Sequence, residues 1–185
     1  YIPPKVWAWN QRRALKLKAI TDQIYSILPF EPDFFKRFEM DVEYVGNPLF
    51  DEIKKFTPHE FFFQKNELSY APIIALLPGS RKQEISAMLQ EMVNLVSKFP
   101  NAQWVVAGVD SLDSELYEPA RKAGIKVIFK QTYDLLSHAT AAVVTSGTAT
   151  LETALFRVPQ VVVYRTSPIS YAIGKKLIRV PFISL

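Results

Sequence analysis

The strongest constraint on the fold is a regular alternation of apolar and amphipathic segments after residue 72. Each apolar segment is short and rich in Val, Ile and Ala, as is typical of a strand that is buried on both faces. The predicted strands are 73–77, 103–109, 125–129, 141–145 and 158–164, and the predicted helices are 83–99, 114–123, a short turn through Leu135 and Leu136, 148–156 and 169–178. Because strands that alternate with helices form βαβ units, we predict an α/β fold with a doubly wound parallel sheet.

The first 45 residues alternate in the same way over shorter elements. The predicted order is a helix over 5–20, a strand over 22–28, a helix over 31–38 and a strand over 42–45. Gly46-Asn47-Pro48 interrupts the pattern, since Pro48 disfavours helical angles at Asn47 and Gly46 is permissive. We therefore predict the end of one α/β domain over 1–45, a connector over 46–71, and a second domain over 72–185 that is incomplete at its carboxyl end.

Composition narrows the class of protein. The chain has 185 residues and no cysteine, which excludes disulfides and thiolate metal sites, and its two histidines, His59 and His138, form no recognisable ligand motif. No apolar run reaches the ~20 residues needed to cross a bilayer, and no signal peptide is present, so we expect an intracellular origin. The net charge of +4 favours acidic ligands or anionic surfaces. Nucleic acid is not an expected partner, because the basic residues are dispersed and no RNA-binding signature occurs.

The segment from Val143 to Glu152 predicts a strand, a tight turn and the first turn of a helix. The first N–H groups of a helix lack internal partners and carry partial positive charge, so such a turn favours a phosphate. The turn residues are Ser146, Gly147, Thr148, Ala149 and Thr150. Glu152 would repel phosphate, but its carboxylate can accept hydrogen bonds from ribose hydroxyls. The alternative is that Glu152 only supplies a favourable negative charge to the first turn.

A second turn of this kind follows the strand 73–77 and consists of Gly79, Ser80 and Arg81. An Arg guanidinium can bind two phosphate oxygens and neutralise a departing diphosphate. The alternative is that Ser80 caps the helix, with Glu84 in its first turns and Arg81 solvated. The spacing matches neither a Walker loop nor a dinucleotide fingerprint. Because parallel sheets bind ligands at the carboxyl ends of their strands, we predict a nucleoside diphosphate between the two turns.

Two groups of basic residues, one near each end of the chain, have more than one possible role. They are Lys5, Arg12, Arg13, Lys16 and Lys18, beside Trp7 and Trp9, and then Arg165, Lys175, Lys176 and Arg179. The helix over 5–20 either presents a solvated basic face and buries its two tryptophan rings, or contacts an anionic membrane surface. The helix over 169–178 either packs against the core or contacts such a surface. Arg165 either adds positive potential to the cleft or pairs with an acid.

Several short motifs occur in a distinctive order. They are Val6 to Trp9, Leu28 to Glu31, Gly46 to Pro48, Leu76 to Arg81, Ser146 to Glu152 and Val163 to Arg165. In that order they closely resemble the lipid-A-disaccharide synthase family over nearly the whole chain. The resemblance implies an inverting transferase with the two-domain GT-B fold, whose donor domain is Rossmann-like and needs no metal or other cofactor. It implies transfer from UDP-2,3-diacylglucosamine to 2,3-diacylglucosamine 1-phosphate at the cytoplasmic face of the inner membrane of a Gram-negative bacterium.

The resemblance also implies roles for individual residues. Residues 79–81 and 146–150 would bind the UDP diphosphate, Arg81 would stabilise the leaving group, and Glu152 would bind the ribose. The strand end at Ile128 and Phe129 would lie near the uracil. The family commonly has His where this chain has Asn47, which favours a hinge role for Gly46, Asn47 and Pro48 over a catalytic one.

The resemblance places other functional parts outside this chain. The proposed general base is an Asp upstream of its first residue, and further UDP and dimer contacts come from a segment beyond its last. We therefore expect a fragment that is inactive alone, taken from a full-length homodimer. The alternatives are another UDP-sugar enzyme, such as the peptidoglycan lipid N-acetylglucosamine transferase or a UDP-N-acetylglucosamine epimerase, and a non-catalytic module that binds a nucleotide or a membrane.

Overall fold

The computed structural model describes residues 1–165. Within this range, residues 1–52 and residues 53–165 form two compact units. The predicted helix over 169–178 lies outside the described residues, and the predicted domain boundaries stay a prediction. Within residues 1–165, every helix is too short or too polar to span a bilayer.

The first unit is a small βαβ arrangement. Its elements are α1 (Val6–Trp9), α2 (Arg13–Ile20), β1 (Ile24–Ser26), α3 (Glu31–Lys36) and β2 (Val42–Tyr44). The two strands pair in parallel, with Ile24 opposite Val42, and α3 connects them. The core of this unit consists of Val6, Ala14, Ile24, Phe34, Phe35, Met40 and Val42.

The predicted helix over 5–20 is wrong in one respect, because it is interrupted. Asn10 adopts φ −138° and ψ 75°, which ends α1, and α2 begins three residues later at Arg13. Asn has a low preference for helix interiors, since its side chain competes for backbone hydrogen bonds. The remaining elements of this unit are present but shorter than predicted, as expected for ends that fray.

The second unit is built on a five-stranded sheet. After α4 (Pro48–Lys55), the elements are α5 (Phe62–Lys65), β3 (Ile73–Leu77), α6 (Lys82–Val93), β4 (Gln103–Gly108), α7 (Glu118–Lys122), β5 (Lys126–Phe129), α8 (Thr132–His138), β6 (Ala139–Thr145), α9 (Thr148–Leu155) and β7 (Gln160–Val163). The strand order is β5-β4-β3-β6-β7, and all neighbours pair in parallel. The predicted α/β fold with a parallel sheet is confirmed.

Two predicted helices are only partly regular. The segment predicted as a helix over 83–99 ends its α-helix at Val93 and continues as a separate 3-10 turn over Val96–Lys98. The segment predicted over 114–123 begins as a 3-10 helix before α7. In the second case Pro119 lies at the start of α7, where its missing N–H costs nothing, so the proline sets the beginning of the α-helical part.

Helices cover both faces of the sheet, which explains why its strands are almost continuously apolar. Leu77 and Val144 face one cluster, which contains Leu135 and Leu136 of α8. Leu76 and Val143 face the opposite cluster, which contains residues of α6 and α7. A strand that is buried on both faces needs apolar side chains at successive positions, so the pattern and the doubly wound fold agree.

The strand order reverses between β3 and β6. From β3 the chain proceeds through β4 to β5 on one side, and then crosses back to β6 and β7 on the other. Leu77 at the end of β3 lies opposite Val144 near the end of β6. The turns that follow these two strands therefore leave the sheet side by side, at the type of crevice where open α/β sheets bind ligands.

Candidate functional site

The two turns predicted from the sequence follow adjacent strands at this crevice. Residues 79–81 connect β3 to α6, and residues 146–147 connect β6 to α9. Both helices direct their first N–H groups toward the carboxyl edge of the sheet, where partial positive charge favours an anion. The structure thus brings the predicted phosphate-binding residues to neighbouring positions.

In the first turn, Glu84 is bonded to the groups that the sequence predicts for a diphosphate. Its Oε2 accepts hydrogen bonds from the N–H groups of Ser80 (2.9 Å) and Arg81 (3.2 Å). Its Oε1 accepts one from the Arg81 guanidinium, at 2.6 Å. Arg81 rather than Ser80 lies at the cap position of α6, so the alternative of a simple Ser80 cap does not describe this turn.

The charge of Glu84 is stabilised by these contacts. Partial burial acts to raise the pKa of Glu84, but the hydrogen bonds from Ser80 and Arg81 and the charge of Arg81 outweigh it, and the pKa lies below its ordinary value of 4.5. The carboxylate is therefore ionised at neutral pH. Sequence reasoning placed Glu84 only in the alternative interpretation of this turn, and the structure makes it the central acceptor.

Gly79 is required by the position of Glu84. Its φ of +120° is in a region that other residues rarely adopt. A Cβ at position 79 would lie 2.5 Å from the Glu84 Cβ and 2.6 Å from its Oε2. Close packing of the backbone against this carboxylate is thus sufficient to explain the glycine.

The second turn, at residues 146–147, has free space beside its glycine, whereas Glu84 fills that space in the first turn. Gly147 has an extended backbone, with φ 162°. A Cβ added there would meet only the carbonyl oxygen of Thr145, at 4.0 Å. Gly147 and Thr148 are exposed, and Ala149 is partly buried. Nothing within the described fold requires a glycine at position 147, in contrast to position 79.

Two other residues of the second turn have structural partners. The Ser146 N–H donates to the carbonyl oxygen of Val163, at 2.9 Å, and so links the turn to β7. The Thr150 hydroxyl is buried and donates to the carbonyl oxygen of Gly147, at 2.7 Å. Thr150 therefore shapes the start of α9 from inside, and the exposed groups of this turn are the backbone at Gly147 and the side chain of Thr148.

Glu152 is partly buried and is held by a residue that sequence reasoning missed. The Tyr133 hydroxyl donates to Oε1 of Glu152, at 3.1 Å. The Tyr133 ring packs against Phe56 and Phe156, with centroid distances of 5.4 and 5.1 Å. This contact joins α8 to α9 across 19 residues of sequence. No local motif signals it, because it depends on how the two helices pack.

Ile128 and Phe129, predicted to lie near a uracil, have buried or packed side chains. Ile128 is 5% exposed and belongs to the core on one face of the sheet. Phe129 packs edge-on against Tyr117, at 5.4 Å. A Cβ at Gly108 would lie 2.5 Å from the Phe129 ring, so that ring covers the end of β4.

The groups that continue from β5 are more accessible than the strand end itself. Lys130 has a φ of +58° and forms an ion pair of 3.0 Å with Asp110 at the end of the neighbouring strand. The Lys130 hydrogen bond and charge hold the pKa of Asp110 below its ordinary value. A cleft of about 330 Å³ opens beside this turn. Its lining residues are Phe56, Lys130, Gln131, Thr132, Tyr133 and Asp134.

Arg165, for which the sequence left two roles open, and Asn47, predicted to be part of a hinge, have clear partners. The hinge role of Gly46, Asn47 and Pro48 stays a prediction. Arg165 forms an ion pair of 2.5 Å with Glu91 of α6, so the acid-pairing alternative describes it. Asn47 is 7% exposed, and its Oδ1 accepts a hydrogen bond from the Leu49 N–H at 3.1 Å. With Pro48 as the first helical residue, Asn47 has the position of a helix cap for α4.

Within residues 1–165, no group of three or more His, Cys, Asp or Glu residues could hold a metal ion.

Comparison with known proteins gives a consistent match. A family model described as lipid-A-disaccharide synthetase matches residues 1–185. Curated proteins named lipid-A-disaccharide synthase are 37% identical in Syntrophotalea carbinolica and 36% identical in Syntrophus aciditrophicus, over the whole chain and over 49% and 51% of their own lengths. The chain thus spans about half the length of these relatives.

Among solved structures, a Listeria monocytogenes protein assigned as a UDP-N-acetylglucosamine 2-epimerase has a similar fold. The TM-score is 0.58 and the identity 16%, over 85% of this chain and 46% of that protein. At this level of identity the likeness concerns the fold alone. It agrees with the doubly wound, Rossmann-like architecture described above.

Proposed function

The chain belongs to the lipid-A-disaccharide synthetase family, and on that premise we propose that it is the donor-binding part of a glycosyltransferase of lipid A synthesis. Residues before the connector form the end of the acceptor-side domain. The proposed donor is UDP-2,3-diacylglucosamine, and the proposed acceptor is 2,3-diacylglucosamine 1-phosphate.

The proposed reaction is a displacement at the anomeric carbon of the donor. A hydroxyl of the acceptor forms the new C–O bond as the bond to the diphosphate breaks, and UDP leaves. The proton of the hydroxyl passes to a general base that this chain does not contain. Arg81 and the first N–H groups of α6 and α9 stabilise the negative charge of the departing UDP.

One observation carries the proposal. Two strand-to-helix turns follow adjacent parallel strands where the strand order reverses, and one includes Arg81 while the other leads into Glu152. A diphosphate between the turns would contact Arg81 and the exposed backbone at Gly147. The hydroxyls of a ribose bonded to that diphosphate would then donate hydrogen bonds to the Glu152 carboxylate.

We test this site by calorimetric titration of the chain with UDP. Arg81→Ala and Glu152→Ala should each weaken binding by ~1–3 kcal/mol, because each removes a charged partner from a hydrogen bond. Lys122→Ala, which removes an exposed cation from α7, is the matched control and should leave binding unchanged. UDP binding that survives Glu152→Ala and Arg81→Ala undiminished would instead favour a non-catalytic module with a site elsewhere.

The proposal extends to the cellular setting of the full-length protein. We propose a homodimer that associates peripherally with the inner membrane of a Gram-negative bacterium, and a chain of this length that is inactive alone. The helix α2 carries three cations, Arg13, Lys16 and Lys18, and no acidic residue, which supports the membrane contact. Binding of the chain to anionic vesicles, compared with Lys16→Glu, tests that contact and should decrease in the variant.

A further inference from the structure

Resting on the proposed UDP site, we propose that Glu84 is a positioning residue whose carboxylate takes the place of a phosphate group in the free protein. Binding of a nucleoside diphosphate then transfers the Arg81 guanidinium from Glu84 to the diphosphate. The backbone hydrogen bonds of Glu84 remain and keep the turn in shape. Glu84 therefore both preforms the anion site and competes for its guanidinium.

The geometry divides the two tasks between the two carboxylate oxygens. Oε2 binds the N–H groups of Ser80 and Arg81 and so holds the turn. Oε1 binds the Arg81 guanidinium alone. The exchange therefore breaks the contact at Oε1 and leaves those at Oε2 intact.

Exposure shows which partner can move. The side chain of Arg81 is 80% exposed, whereas that of Glu84 is 27% exposed. Glu84 is fixed further by Gly79, whose missing Cβ leaves room for its side chain. Since an exposed ion pair contributes little stability, an incoming diphosphate can replace Glu84 as the partner of Arg81 at small cost.

Glu84→Gln separates these tasks. The amide oxygen of the substituted side chain can still accept from the two backbone N–H groups, as Gln does at this helix position. Its NH₂ group is a donor and cannot bond a guanidinium, which is also only a donor. The variant therefore preserves the turn, releases Arg81 and removes a negative charge that opposes UDP.

The experiment is a double-mutant cycle of UDP affinity with Glu84→Gln and Arg81→Ala. We expect Glu84→Gln alone to tighten UDP binding about two- to fivefold, the range for loss of an exposed competing ion pair. In the Arg81→Ala background that gain should disappear. Uridine, which has no phosphate, should bind all four proteins equally. Glu91→Gln, which breaks the other Arg–Glu pair of α6, is the matched control and should leave UDP affinity unchanged.

The outcomes separate this proposal from the site assignment itself. If Glu84→Gln weakens UDP binding equally in both backgrounds, Glu84 only caps α6 and the proposal is overturned, while the UDP site stands. If neither the wild type nor Glu84→Gln binds UDP, the titration is repeated on the full-length protein. UDP binding there that Arg81→Ala and Glu152→Ala leave undiminished means that the site assignment fails, and the role of Glu84 fails with it. Tightening that persists without Arg81 would attribute the effect to general charge and would also overturn the transfer of the guanidinium.

Discussion

Gly79 and Gly147 occupy similar turns but are under opposite steric constraints. At Gly79 the positive φ and the adjacent Glu84 leave no room for a side chain. At Gly147 the backbone is extended and the space beside it is open. Gly147 is the N-cap of α9, where glycine is a favoured residue, and the open space beside it also leaves room for a ligand to approach the backbone closely.

Substitution of each glycine by alanine separates folding from binding. Gly79→Ala should lower the free energy of unfolding by about 1–3 kcal/mol, since it adds backbone strain and overlaps Glu84. Gly147→Ala, at the N-cap of α9, should lower it by no more than about 1 kcal/mol. It should nevertheless weaken UDP binding by about 1–3 kcal/mol through overlap with the ligand. Denaturant unfolding and UDP titration measure the two effects. Unimpaired UDP binding by Gly147→Ala would contradict a phosphate at this turn.

Glu84 also predicts a pH dependence of stability. Because its pKa is lowered in the folded protein, its stabilising contribution is fully present above the ordinary value of 4.5. That contribution should disappear as the pH falls through the lowered folded value. The difference in unfolding free energy between the wild type and Glu84→Ala should therefore be larger at pH 7 than at pH 3. A difference that is the same at both values would mean that the charge of Glu84 does not stabilise the turn.

At the scale of elements, the contact between α8 and α9 sets the orientation of Glu152. Tyr133 is held between Phe56 and Phe156 and donates its hydroxyl hydrogen to the carboxylate. A side chain fixed on two sides loses little entropy when it makes this bond. Oε1 of Glu152 is thereby occupied, and no other described residue within 1–165 donates to this carboxylate, so its second oxygen can accept a bond from a sugar hydroxyl.

Tyr133→Phe tests this arrangement without disturbing the aromatic packing. Loss of the hydroxyl should weaken UDP binding by about 0.5–1.5 kcal/mol, the usual value of one hydrogen bond. The effect should be smaller for 2′-deoxy-UDP, because that nucleotide makes less use of Glu152. Tyr117→Phe is the matched control, since the Tyr117 hydroxyl accepts a bond from the Val109 N–H away from Glu152. An equal effect on both nucleotides would argue against a role in orienting Glu152 toward the ribose.

Element boundaries show which local signals are decisive. The strand over 73–77 has the predicted bounds, because all five of its residues are apolar and a strand buried on both faces requires apolar residues at successive positions. The helix over 5–20 divides at Asn10, and that over 83–99 ends its α-helical part at Val93. Apolar periodicity persists across such breaks, so it predicts which face is buried better than where a helix ends.

At the scale of the whole molecule, the sheet topology makes the site. Residues 79–81 and 146–147 are distant in sequence, and they become neighbours only because β3 pairs with β6. A connection that continued outward from β5 would have placed β6 at the far edge of the sheet. The chain spans about half the length of the curated relatives it matches, so the proposed catalytic reaction belongs to the full-length protein.

The α/β class, the parallel sheet and the two Gly-containing turns can be predicted without a structure, because hydrophobic period and turn chemistry are local properties of the chain. The pairing of Glu84 with Arg81 is local as well, because the two residues are three apart at the start of one helix. The bond from Tyr133 to Glu152 and the open space beside Gly147 depend instead on side-chain direction and helix packing, which a residue's neighbours in sequence do not encode. Local sequence pattern therefore predicts which residues form the site. The packing of α6, α8 and α9 around the sheet sets how those residues bond to one another.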